Sequence, residues 1–229
     1  IKTQNNSDIR IIISILVFYF FFCFPLAQAY LKNHNFLYNY WNLFFCITTL
    51  IILFSTEKLR LSKIGVSNFD WNKIKLGLFL ALLPITGVVF LDAIIVKTGM
   101  AGNNLFIGAE LRKLEEFSNT DLILGGFLSP IISQLFITGY VLNGLVKNNK
   151  VAIPANGVLY SAININFGIG FLVLGAVSAC LARFTGSLMP AILFSLGCAF
   201  AKILILTTYP RLTTILVFLL LSFPSIPSI

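Results

Sequence analysis

The chain has 229 residues, of which 58% are hydrophobic and 10% are charged, whereas a soluble globular domain carries about 25% charged residues. So few charges cannot coat a surface in water, which excludes an ordinary soluble protein and predicts a single membrane domain over residues 1–229. The net charge of +8 does not indicate nucleic-acid binding, because the cations lie mostly in short loops between apolar runs.

The first apolar run, IIISILVFYFFFCF, follows Lys2 and Arg10 and precedes the sequence PLAQA. This order is also typical of a signal peptide with a cleavage site after the AQA triplet. We predict instead a retained first transmembrane helix at about 11–30, since the segment is present in the chain.

Eight segments are apolar enough to be transmembrane helices, each of which needs about 20 mostly apolar residues. The segments at 152–166 and 211–224 are short, and short spans belong in a protein interior because freed backbone groups find no water in lipid. The predicted fold class is therefore all-α and polytopic. The predicted spans lie at about 11–30, 40–56, 74–96, 122–146, 152–166, 168–184, 187–207 and 211–224.

The loop charges predict the orientation of these spans. Of the 16 lysines and arginines, most fall on one predicted side of the membrane, which by the positive-inside rule places both termini in the cytoplasm or its equivalent. The cations on that side are Lys2, Arg10, Lys58, Arg60, Lys63, Lys73, Lys75, Lys147, Lys150 and Arg183.

Residues 105–118 differ from the spans. In LFIGAELRKLEEFSNTDL, apolar residues recur at roughly helical spacing among charged ones, which predicts an interfacial amphipathic helix. A polar connecting helix is the alternative interpretation. Asn119 or Thr120 is placed to cap the next span.

The cysteine and histidine content predicts neither a metal nor a cofactor. The 4 cysteines stand singly inside apolar runs without a Cys-x-x-Cys pair, which indicates small buried apolar residues. The single histidine, His34, lies in the polar stretch LKNHNF, so the chain cannot build a site from several histidines.

Small residues are concentrated in the run GIGFLVLGAVSACLA, which includes Gly175 and Ser178. Residues of this size allow helices to pack closely in a membrane. We therefore predict that this helix is packed tightly against its neighbours.

The run FLVLGAVSACLARFTGSLMPAIL resembles the C-terminal half of the CPBP family, the CAAX-protease and bacteriocin-processing (Abi) intramembrane proteins. SPIISQLFITGYVLNGL resembles the family's first motif region and VLYSAININFG its second. The likeness places a CPBP-like core at 122–207 and implies a CPBP-like helical bundle, although the spans before this core match only as hydrophobic helices.

Active members of that family carry a Glu-Glu-x-x-x-Arg motif, a Phe-x-x-x-His motif, and a histidine followed four residues later by Asn or Asp. The resemblance implies that these groups converge inside the membrane and activate a water, with or without metal, to cut a peptide bond. A buried Glu or His can serve as the base that this chemistry needs.

The first motif is degenerate in this chain. Its paired glutamates fall on Ser133 and Gln134, and its arginine falls on Thr138. A neutral amide cannot act as a base, and the hydroxyls lack a His or Lys partner to activate them. The acidic pair Glu115-Glu116 is not the missing motif, because it lacks the arginine and lies outside the apolar span.

The second and third motifs are degenerate as well. The aromatic of the second motif falls on Tyr160, but its histidine falls on Asn164. The histidine of the third motif falls on Ser195, and its last position falls on Ala199. Loss of every proton-transfer group inside a preserved frame predicts a pseudoprotease without catalytic residues. The alternative is a CPBP-type intramembrane metalloendopeptidase that uses other residues.

The polar residues at these positions allow two interpretations. They could form an interhelical hydrogen-bond network that serves packing alone. Alternatively, the former substrate groove holds a lipid, a terpenoid or pigment tail, or a partner's transmembrane helix without cutting it. The candidate cavity-lining residues are Gln134, Tyr160, Asn164, Ser195 and Lys202.

Two charged residues lie in or near predicted spans. Asp92 is close to the end of the third span, and Lys202 follows Ala199 by three residues, which predicts a shared helix face. Intramembrane charges mark functional sites. Snorkelling of Lys202 and an interfacial position of Asp92 are the alternative.

Together these features predict a non-catalytic CPBP-family protein that acts as a scaffold, stabiliser or subunit. Its expected partner is another integral membrane protein or a lipid- or pigment-like ligand, in a bacterial inner membrane or a thylakoid-type membrane. Transport is disfavoured, because the chain shows no internal repeat of the kind that builds transporters.

Overall fold

A computed structural model gives the fold of the chain. It describes residues 11, 13–14, 41–57, 65–66, 70–102, 124–146, 148–163 and 169–213. Over these ranges the chain is helical and contains no strand, which confirms the all-α prediction for this part. The amphipathic helix predicted at 105–118 lies outside the described residues, as do most of the predicted first and last spans.

Six helices make up the described fold. Two short 3-10 turns, Met100–Gly102 and Pro210–Leu212, follow the second and the last of them. The helices are α1 (Trp41–Glu57), α2 (Trp71–Lys97), α3 (four consecutive segments from Leu124 to Leu145), α4 (Asn149–Ile163), α5 (Ile169–Thr185) and α6 (Met189–Thr207).

Helix α3 alternates between two windings. Leu124–Leu128 and Gln134–Leu142 are π-helical, whereas Ser129–Ser133 and Asn143–Leu145 are α-helical. Nearly every residue of the longer π-helical segment is buried, which is expected of a helix surrounded by others. π-Helical turns are rare and are often found at functional sites. Helix α3 is thus the central element of the bundle and the strongest candidate to carry a functional site.

The core forms around α3. Phe136 and Ile137 of α3 are fully buried and pack with Ala191 of α6, Cys46 of α1 and Tyr160 of α4. Apart from the tyrosine hydroxyl, these side chains are apolar or weakly polar. Their close packing holds the helices at fixed positions around the polar residues of α3.

Helices α4 and α5 pack antiparallel and very closely. A Cβ atom placed on Gly175 would lie 2.5 Å from the carbonyl oxygen of Asn156 and 2.8 Å from the Cα of Gly157. Both are backbone atoms that no rotamer change can move aside. This contact explains why the small residues predicted to favour tight packing include a glycine at 175.

Helices α2 and α6 run parallel. Gly77 of α2 faces Pro190 and Leu193 near the start of α6, whereas Ile95 of α2 packs with Ile205 near its end. Within the described ranges, these two helices are long and apolar enough to cross a membrane. Only 22% of the apolar window of α2 and 39% of that of α6 is buried, whereas a core helix of a soluble protein is mostly buried. The length, composition and low burial of these two helices favour association of the chain with a membrane.

Candidate functional site

A chain of hydrogen bonds between side chains crosses the centre of the bundle. The Gln134 Nε2 of α3 donates to the Ser178 Oγ of α5 at 2.7 Å. On the next turn of α3, the Thr138 Oγ1 donates to the Gln134 Oε1 at 2.8 Å. Both oxygen and nitrogen of the Gln134 amide are thus used, which fixes the orientation of this side chain.

Helix α4 joins the same network through Asn156. Its Nδ2 donates to the Thr138 Oγ1 at 3.1 Å and to the backbone carbonyl of Gly175 at 2.7 Å. The close approach of α4 to α5 at Gly175 brings this carbonyl within reach. We name the four residues Gln134, Thr138, Asn156 and Ser178 the central polar network.

The central polar network is completely enclosed, since each of its four side chains is 0% exposed. A buried polar group without a partner costs about 1–3 kcal/mol, so these side chains specify how α3, α4 and α5 meet. Interhelical hydrogen bonds in membranes stabilise by about 0.6 kcal/mol each on average. The network therefore contributes modest stability and considerable geometric specificity.

Further polar groups extend from Asn156 towards α6. Tyr160, one turn later on α4, is buried, and its hydroxyl lies near the side chain of Ser195 on α6. Cys198 of α6 lies close enough to interact with the same hydroxyl. Polar side chains thus extend through the bundle from α5 to α6 by way of α3 and α4.

The Asn156 Oδ1 and the Ser161 Oγ are buried and have no hydrogen-bond partner among the described residues. The Asn156 Oδ1 is an acceptor and the serine hydroxyl can donate or accept. The chemistry available at the centre is therefore hydrogen bonding by neutral amides and hydroxyls, which cannot transfer protons as a carboxylate or an imidazole does.

The structure brings together some of the predicted site residues. Gln134 and Thr138 belong to the central polar network, and Tyr160 and Ser195 lie beside each other near it. Ser133 is partly buried on α3. Asn164 lies outside the described residues, so its predicted place in the cavity stays a prediction.

Two positions on α6 lie outside the central polar network. Ala199 is partly buried, and Lys202 is exposed on the surface of the helix. The exposed position of Lys202 is consistent with the snorkelling alternative, and its predicted place in the cavity stays a prediction.

Two members of the central polar network were not among the predicted site residues. Asn156 is an amide within an apolar run, two residues after Pro154. This isolated polar position is the sequence feature that could have indicated a buried polar site. Ser178 was interpreted only as a small packing residue. Neither side chain's partner can be identified from the sequence, because both partners come from other helices.

Asp92, near the end of α2, forms an ion pair with Arg211, in the turn after α6. The Arg211 Nε lies 2.8 Å from the Asp92 Oδ1, with the side chains 24% and 11% exposed, respectively. The pair joins α2 to the turn after α6. Asp92 is thus neutralised by a partner, which offsets part of the cost of its burial.

No cluster of three or more His, Cys, Asp or Glu side chains that could hold a metal ion is found in the described ranges. Cys46 is buried and Cys180 and Cys198 are partly buried, and all three are free thiols. The described site thus offers oxygen and nitrogen atoms of neutral groups.

No family model matches the chain, and no curated protein and no solved structure shows detectable similarity to it. The resemblance to the CPBP family therefore remains a prediction from the segments quoted above.

Proposed function

We propose that this chain is a multi-pass integral membrane protein of about eight spans with a CPBP-like helical bundle that binds and does not cleave. In this proposal it is a scaffold, stabiliser or subunit that binds another membrane protein or a lipid- or pigment-like ligand. A bacterial inner membrane or a thylakoid-type membrane is the proposed location.

The observation that carries this proposal is the neutrality of the central polar network. Gln134 and Thr138 occupy positions where the family resemblance expects a glutamate and the arginine, and both are fully enclosed and hydrogen-bonded to neutral partners. A general base must accept a proton near neutral pH, which an amide cannot do. A network of this kind supports helix packing and recognition better than hydrolysis.

The exposed surface of α2 supports a binding role. Phe79, Leu82 and Phe90 are more than half exposed, along with several other large apolar residues of the same helix. Lipid or the transmembrane helices of a partner would cover a surface of this kind.

The rival function is that of an intramembrane endopeptidase, and an activity assay separates the two. Purified protein is incubated with membrane-embedded candidate peptides, and its metal content is measured. We expect no cleavage that depends on the chain. Reproducible cleavage that is lost in Gln134→Ala, with the fold retained, would overturn the proposal. Thr86→Val is the matched control, because that exposed hydroxyl binds only carbonyls of its own helix.

A further inference from the structure

Arg183, two residues before the end of α5, is a partly buried cation without an anionic partner among the residues that the structure describes. Its Nη2 donates to the backbone carbonyl of Val146 at 2.6 Å, just beyond the end of α3. Its Nε is enclosed and has no hydrogen-bond partner within the described ranges. In the part of the chain that the structure describes, no carboxylate pairs with it. The guanidinium therefore has no counter-charge from these residues, and an anion would be bound by its donors other than the enclosed Nε.

A second cation and an exposed aromatic lie at the same end of the bundle as this arginine, since the start of α4 packs near the end of α5. Val146 and Lys150 are four residues apart, so even an extended chain would separate their Cα atoms by no more than about 15 Å. Lys150 is exposed in the first turn of α4, where its backbone N–H bonds to the Asn148 side chain at 3.0 Å. Phe184, adjacent to Arg183, is 80% exposed.

These three side chains match the parts of an anionic lipid. An arginine donates paired hydrogen bonds to phosphate, and a lysine adds a point charge. Exposed aromatic residues are enriched at the membrane interface, where they contact the upper acyl chains. A soluble anion would use the two cations but would have no use for the exposed phenylalanine.

We propose that Arg183 and Lys150 bind the phosphate of an anionic phospholipid at the membrane surface, with Phe184 against its acyl chains. The site lies at the end of the bundle formed by the α3–α4 junction and the end of α5. This inference rests on the proposed membrane setting and is independent of whether the chain cleaves peptides, so either can fail without the other.

Lipid binding to the full chain, purified in mild detergent, tests the site. Native mass spectrometry measures retention of phosphatidylglycerol and of phosphatidylcholine by wild type and variants. We expect wild type to prefer phosphatidylglycerol and Arg183→Gln to bind it about fivefold more weakly, since one cation at an anionic surface has an effect of this size. Lys97→Gln, which removes an exposed cation at the last residue of α2, should bind as wild type does.

Two further measurements keep the result decisive. Lys150→Gln alters only an exposed side chain, so its predicted loss of phosphatidylglycerol binding does not depend on the stability of the α3 end. Inorganic phosphate is added as a competitor to separate a lipid headgroup from free phosphate. Equal binding by wild type, Arg183→Gln and Lys150→Gln would overturn the site. Stabilisation by inorganic phosphate alone, lost in Arg183→Gln, would overturn the lipid assignment.

Discussion

Replacing Gln134 with leucine removes the side chain that connects α3 to α5. The substitution deletes the 2.7 Å bond to Ser178 and the acceptor of the 2.8 Å bond from Thr138, all at positions that are 0% exposed. The bond to Ser178 joins two helices and contributes about 0.6 kcal/mol on average and about 1.7 kcal/mol at most. The Thr138 hydroxyl also loses its acceptor within α3, and a buried group without a partner costs about 1–3 kcal/mol, so we expect Gln134→Leu to lower the free energy of unfolding by about 1–3 kcal/mol.

A double-mutant cycle isolates the bond between the two helices. Gln134→Leu, Ser178→Ala and the double variant are unfolded by SDS in mixed micelles, and their free energies of unfolding are compared. We expect a coupling energy of about 0.6–1.7 kcal/mol for the pair. Thr86→Val, which removes an exposed hydroxyl outside the network, should have a much smaller effect. Zero coupling, or a loss no larger than that of Thr86→Val, would refute the assignment of these residues to one buried network.

Two further predictions concern packing and charge. Gly175→Val should lower the stability of the protein by at least about 1–3 kcal/mol, because the new Cβ would meet backbone atoms of α4. Gly87 faces open space, so Gly87→Val should lower the stability much less. Thermal unfolding of the two variants measures the difference. Equal effects would contradict the contact. Asp92→Asn should lower the free energy of unfolding by about 1–3 kcal/mol. This is less than the cost of breaking a fully buried pair, because the Arg211 side chain is 24% exposed. Adding Arg211→Met to Asp92→Asn should cause little further loss. Additive losses would show that the two charges do not interact.

The helices were largely predictable because the length of an apolar run is visible in the sequence. The span expected at 74–96 corresponds to α2 at Trp71–Lys97, and the span expected at 187–207 corresponds to α6 at Met189–Thr207. Both are bounded by polar residues and turns. A change of hydrophobicity at each end is a local signal, so no knowledge of neighbouring helices was needed.

The contacts between helices were not predictable from local signals. The π-helical winding of Gln134–Leu142 has no recognisable signature in the residues themselves. Asn156 enters the network only because α4 and α5 approach each other at Gly175, and Asp92 meets Arg211 only because α2 and α6 run parallel. Buried polarity at Gln134 and Thr138 could be predicted, but the partners depend on tertiary packing.

The central claim is that the chain binds a membrane partner or ligand without cutting it. Native mass spectrometry of the protein, extracted at its natural abundance in a mild detergent, tests this claim most directly. We predict an assembly that contains an intact membrane protein or a hydrophobic ligand in stoichiometric amount, beyond the bulk lipids of the extract. A lone, empty monomer, or an assembly that contains a cleaved partner, would contradict the account.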